Sequence, residues 1–337
     1  MKSITNSNSI YILSLIVFIS LIPVLALNQN TEKNELTITE INLTSDQRGS
    51  NKFPIWLTTG DKIIYVHDSE VWVMNSDGSS KHRLLNGEYR THYPISLSPD
   101  GRYLALATKS EKRYVLVIWD MLNSNRDKII VPHEDELSIV PAGPQVWSPD
   151  GRLLLACIGK DIQLSICPEL WTIDTTEGVP HVLIAKNILL GASWLSENKI
   201  LFSIKDIIYV SSMQGKVTPV LSQGKRPSPS PNAEYIAYTN RQDGAIWMTR
   251  LPDNRTIKIS KGSNDWFPSW SPDGNKIAFI RGEAISDIIV SVFTVEKDIE
   301  EDKNAIMLNY TMVITVIIMV IVFAVLLLSR KRQGSTS

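Results

Sequence analysis

The tetrapeptide Ser-Pro-Asp-Gly occurs three times, starting at Ser98, Ser148 and Ser271, and a short apolar run follows each copy: RYLALAT, RLLLACI and NKIAFIR. A recurring turn constrains the fold more than any single motif, because it commits the chain to a repeated supersecondary unit. The first interval is 50 residues and the second is 123, which divides into three steps of 41. Decayed copies stand where those steps fall: Trp194 to Asn198 ahead of KILFSI, and Ser230 to Ala233 ahead of EYIAYTN. A further copy, Trp56 to Gly60 ahead of DKIIYVHD, lies about one period upstream, which makes six.

The chemistry of the tetrapeptide suits a tight turn between strands. Proline presets φ, aspartate accepts from the backbone two residues on, and glycine takes a positive φ without a Cβ clash. Asp100, Gly101, Asp150, Gly151, Asp273 and Gly274 are therefore read as turn residues. Their recurrence at one place in different units argues against a catalytic acid set. Downstream of each turn comes a further strand-like run, beginning at Glu70, Arg113, Glu169, Asp206, Ala245 and Asp287. Runs rich in Ile, Val, Tyr and Trp and bounded by Gly, Asp, Asn and Ser read as strands.

Each unit thus supplies about four strands. One four-stranded sheet cannot bury both its faces, whereas six packed radially can, so the expected class is all-β, a six-bladed β-propeller. Leu36 to Phe293 spans 258 residues, or 43 per blade. The last unit lacks a good fourth strand, while Leu36 to Leu43 (LTITEINL) is a spare strand ahead of the first. Pairing that segment with the strand at Asp287 to Phe293 would close the ring and remove an exposed sheet edge.

The chain ends carry two apolar blocks. Ile10 to Leu27 holds no charge and follows Lys2, with Val24 and Ala26 at −3 and −1 of a cut before Leu27. Residues 1–27 read as a secretory signal peptide, or alternatively as an uncleaved N-terminal anchor. Tyr310 to Ser329 is uncharged over 20 residues, which as a helix covers the hydrocarbon thickness of ~30 Å. Arg330, Lys331 and Arg332 follow it, and the acid-rich stretch Glu296 to Lys303 precedes it. The basic cluster favours the cytoplasmic side. The expectation is a single-pass protein of the cell membrane: an extracytoplasmic propeller over 28–304, a transmembrane helix over 305–329 seated in the lipid bilayer, and a short cytoplasmic tail over 330–337. Between the blocks stand 35 acidic and 30 basic residues. That balance excludes nucleic-acid binding, which needs a basic surplus, and argues against a polybasic lipid-binding surface.

The strings WSPDGNKIAFIR, WSPDGRLLLACIG and EVWVMNSDGSSKHRLL resemble the repeats of TolB-like six-bladed propellers, which also occur in the N-terminal propeller of dipeptidyl-peptidase-IV-like and oligopeptidase-like enzymes. Trp119-Asp120 is similar to the WD repeat, but the other units lack that pair. The resemblance covers about Leu36 to Phe293, and it implies an exported propeller that binds protein partners. The chain departs from TolB in its C-terminal apolar segment. A fold shared this widely does not fix an activity.

No Gly-x-Ser-x-Gly elbow, Walker loop, dinucleotide fingerprint or His-Glu-x-x-His helix is present, and the five histidines are scattered, so neither a catalytic residue, a metal site nor a cofactor is assigned. Cys157 and Cys167 flank the expected hairpin between the second and third strands of blade three; they form a disulfide, as an exported domain allows, or stay as two buried thiols. Asn42 and Asn254 open glycosylation sequons. The candidate binding surface is the rim where the innermost strands begin, with Phe53, His92, Tyr93, Lys225, Arg226, Asp265 and Trp266. Aromatics and cations outside core strands are what binding faces use. The alternative is that the aromatics plug the central channel or pack between blades. The function expected is a non-enzymatic module for a protein or glycan partner at the cell surface or envelope. The alternative is an extracytoplasmic hydrolase or lyase with its site at the channel mouth, assisted by a metal.

Overall fold

The computed structural model describes residues 35–85, 89–123, 127–130, 136–160, 162–163 and 166–296, with helical residues between 314 and 326. Ile38–Thr294 forms one compact unit. Its strands fall into antiparallel sheets, four of four strands and one of seven. Blade one contains Asn51–Trp56, Lys62–His67, Glu70–Asn75 and His82–Arg83. Blade two contains Ser96–Leu97, Tyr103–Ser110, Arg113–Asp120 and Asp127–Ile130, and blade five contains Gly224–Pro229, Tyr235–Asn240, Ile246–Arg250 and Thr256–Lys258.

Blades three and four are one seven-stranded sheet. The 17-residue strand Pro180–Ser196 serves both: its first part pairs with Cys167–Asp174, and its second part pairs with Lys199–Ile204. Blade three starts with Ser138–Pro141 and Leu153–Gly159, and blade four ends with Ile207–Ser212 and Val217–Ser222. The equal spacing of the repeats does not reveal this shared strand, because no turn residue separates the two blades.

Blade six contains Asp265–Trp270, Lys276–Gly282 and Ser286–Glu296, and its fourth strand is Glu35–Asn42 from the other end of the chain. Ring closure by the N-terminal strand is thus present, as the spare strand in the sequence predicts. Side chains lock it. Arg281 bonds the carboxylate of Asp265 at 2.8 and 2.9 Å and that of Glu40 at 3.0 and 3.1 Å, so one guanidinium ties the inner strand to the closing strand. Those bonds hold the guanidinium firmly protonated. Burial works to raise the Glu40 carboxyl, but the bonds from Arg281 and the Lys261 amide keep it below its ordinary value. Beyond the strand, Asn42 and Thr44 each donate to Asp287 at 3.0 Å, and the Ile288 amide donates to Thr44 Oγ1.

Apolar residues at alternate strand positions fill the spaces between blades, as in the buried cluster Phe53, Ile55, Ile64, Ile95, Leu104 and Phe267 shared by blades six, one and two. At the repeat turns, Ser98, Ser148, Ser230 and Ser271 each donate to the Asp or Asn two residues on and accept from the amide five residues on. The serine bonds, foremost, draw the carboxyls of Asp100, Asp150 and Asp273 below the ordinary aspartate range.

Among the described residues no helix is long and apolar enough to cross a membrane. Residues 1–34 and most of 297–337, on which the signal and transmembrane expectations rest, lie outside the described residues.

Candidate functional site

The residue that leads into the repeat turn is tryptophan in four blades: Trp56, Trp147, Trp194 and Trp270. Each indole N–H donates to a backbone carbonyl of the preceding blade's inner segment: Trp56 to Ser269 (3.1 Å), Trp147 to Ser96 (3.2 Å), Trp194 to Val146 (2.9 Å) and Trp270 to Ser228 (3.0 Å). The bonds all run in one sense around the ring. Only an indole offers a flat apolar body with one donor at its edge, so it can pack between blades and latch them together. Blades two and five place Leu97 and Pro229 there and make no such bond.

These residues surround a cavity of about 480 Å³ at the turn end of the inner strands, lined from all six blades. Its walls are the indole edges with Leu97 and Pro229, and around them stand Pro99, Pro149, Pro231 and Pro272 of the repeat turns. Those four prolines are exposed, and the indoles are pinned. The surface is apolar and rigid, which lowers the entropy a ligand must offset on binding. Sequence reading missed this site, although its signal is visible in the tryptophan before Ser148 and Ser271.

The rim residues lie at the opposite end of the inner strands; Phe53, His92 and Tyr93 line one cleft there, and Lys225, Arg226, Asp265 and Trp266 are not part of it. Phe53, Arg226 and Phe267 occupy the same position in blades one, five and six, each with a positive φ (54°, 53° and 51°) and each followed by proline. A break in strand register accompanies each of them. The resulting bulge turns the side chain inward. Phe53 and Phe267 are buried and meet edge to face with centroids 5.0 Å apart. The Arg226 guanidinium lies 4.8 Å from the Phe267 ring centroid and 5.1 Å from that of Trp266. Its side chain crosses Gly191, where a Cβ would sit 2.8 Å from Arg226 Cγ. Burial lowers the Arg226 pKa to about 10, which leaves it charged at neutral pH. Arg226 therefore fills the interior between inner strands, whereas Phe53, although buried, forms part of the wall of a cleft at this end.

Asp265 is buried and belongs to the closure lock with Arg281; Ser260 also donates to it at 2.5 Å. Trp266 donates to the Gly282 carbonyl at 2.9 Å. Lys225 pairs with Asp206 at 2.9 Å. Tyr93 is buried, packs against Tyr114 with centroids 4.7 Å apart, and donates from its hydroxyl to the Ile162 carbonyl at 2.7 Å. Burial, and secondarily Tyr114, pushes its pKa up to about 12. His92 is exposed, with Nδ1 3.1 Å from Ser69 Oγ. Cys157 and Cys167 are joined as a disulfide, with Cα atoms 5.5 Å apart. Among the described residues no three His, Cys, Asp or Glu side chains converge as metal donors.

The comparisons with known proteins agree with this architecture. TolB of Acinetobacter baumannii superposes with a TM-score of 0.53 at 16% identity, over 74% of this chain and 64% of that one. The fold is that of a TolB-like β-propeller. An oligogalacturonate lyase in complex with manganese shares the propeller fold, with a TM-score of 0.53 at 12% identity over 78% of this chain and 99% of that one. In sequence, an uncharacterized protein of Agrobacterium fabrum is 22% identical over 199 residues, which is 56% of this chain and 64% of that protein. The chain thus spans less than two thirds of the length of that relative and of TolB. No family model matches the chain.

Proposed function

We propose that the chain is a membrane-tethered, extracytoplasmic binding propeller whose six-blade cavity receives an apolar segment, bearing proline or aromatic side chains, of a protein partner. The observation that carries this reading is the set of four indoles, each bonded to the neighbouring blade, around one cavity to which all six blades contribute. Rigid aromatic surface gives large contact area at low entropic cost, and protein hot spots are built that way. The tether rests on the uncharged run from Tyr310 to Ser329 and the basic cluster after it. The helical residues described within that run, including Ile314, Ile318, Ile321 and Phe323, expose their apolar side chains.

A photo-crosslinking amino acid placed at Pro149, Pro231 or Pro272 of the full chain in its native envelope tests the reading. Adducts to a protein from these positions, and none from the exposed control Glu111, are expected. No adduct specific to the cavity would contradict it. Depolymerisation of an oligogalacturonate by the purified chain would favour the enzymatic alternative, and a carbohydrate adduct would favour a glycan ligand.

A further inference from the structure

A second cavity, of about 300 Å³, opens at the other end of the inner strands, and residues of three blades line it. Blade one supplies Ser50, Lys52 and Ser69, the segment entering blade two supplies His92, and the loop of blade three supplies Gln163. We infer that this cleft is a binding site for an oxyanion, a carboxylate or phosphate group, with Lys52 as its cationic partner, His92 as a hydrogen-bond donor, and Ile162 and Gln163 as its third wall. It stands independently of the six-blade cavity.

Three observations support it. The lining holds no carboxylate among the described residues: its polar members are Lys52, His92, Gln163 and four hydroxyl residues, Ser50, Ser69, Thr91 and Tyr93. Lys52 makes no ion pair with any described residue, whereas the nearby acids are engaged elsewhere. Asp68 accepts from the Ser50 amide and lies 3.7 Å from His67, and Glu70 pairs with Arg83 and Arg90. His92 meets Ser69 through Nδ1, which leaves Nε2 for a second partner, a donor in the Nε2–H tautomer. An ammonium beside imidazole and hydroxyl donors in a partly enclosed cleft is the chemistry that recognises carboxylate or phosphate oxygens.

The wall itself is stapled. Ile162 and Gln163 lie within the ten-residue separation spanned by the disulfide, and the Ile162 carbonyl accepts the Tyr93 hydroxyl. The covalent closure restrains Gln163 as part of the cleft lining, so reduction should loosen the site without opening the ring.

Titration of the full chain with inorganic phosphate and, separately, with N-acetylglycine, read by the histidine Cε1–H NMR signals, tests the proposal. A saturable shift of one signal, absent in His92→Gln, is expected with at least one probe, and the tighter probe identifies the class of oxyanion. Lys52→Met should raise that Kd about tenfold with the thermal midpoint retained, and reduction by a phosphine should raise it about threefold. No saturable shift with either probe, or an unchanged Kd in Lys52→Met, would overturn the site. A Kd insensitive to reduction would overturn the role of the loop wall.

Discussion

Ala233 sits at φ 57°, where the sister turns hold Gly101, Gly151 and Gly274 at φ 73°. An L-residue in the left-handed region carries a cost of about 1–2 kcal/mol, part of which glycine returns by its freer unfolded chain. Ala233→Gly should therefore stabilise the protein by about 0.5–1 kcal/mol, measured by urea unfolding. The carboxylates of the turns and strand ends belong to the same scale. Hydrogen bonds from Arg102 above all hold Asp120 at about 2, and those from Thr176 hold Asp174 at about 2. A carboxyl whose folded pKa is depressed contributes stability above its unfolded pKa of about 3.9 and loses that contribution as pH falls toward the folded value. The urea midpoint should hold from pH 7 to 5 and fall between pH 4 and 2. In Asp120→Asn that fall should be shallower.

Between the blades, the tryptophan latch joins neighbouring inner segments; at Trp194 it runs beside backbone bonds from blade four to blade three. Trp147→Phe keeps most of the apolar volume but leaves the Ser96 carbonyl without its indole donor. The carbonyl keeps its ladder partner at Ala105, so the loss is that of one net hydrogen bond, about 0.5–1.5 kcal/mol, with the far-UV circular dichroism unchanged. The repeat was legible from sequence because each turn closes on itself: serine, aspartate or asparagine, and the following amide all lie within six residues. The closing strand was legible as a surplus element facing an incomplete blade. The latch was not, because Trp56 meets a carbonyl 213 residues away and Trp194 one 48 residues away, and only the assembled ring brings them together. The inward turn of Phe53 and Arg226 was hidden for a related reason. The left-handed bulge that buries them is imposed by neighbouring strands, and bulky residues do not advertise a positive φ in sequence.

At the scale of the whole molecule, blade six is assembled from both ends of the propeller segment, so the ring has no free sheet edge at its seam. Glu40, Arg281 and Asp265 link the closing strand to the inner strand, and Asn42 and Thr44 extend the seam to Asp287. Closure also matters for both cavities, since each draws its walls from blades that hold position only while the ring is shut. Asn42 is committed to the seam, whereas Asn254 sits exposed in a turn of blade five, so the two sequons are not equivalent as attachment points. The most direct measurement is calorimetric unfolding of the full chain beside a variant lacking residues 35–44. A closed ring predicts a marked drop in the propeller's midpoint and loss of its single cooperative transition; an unchanged midpoint and transition would contradict it.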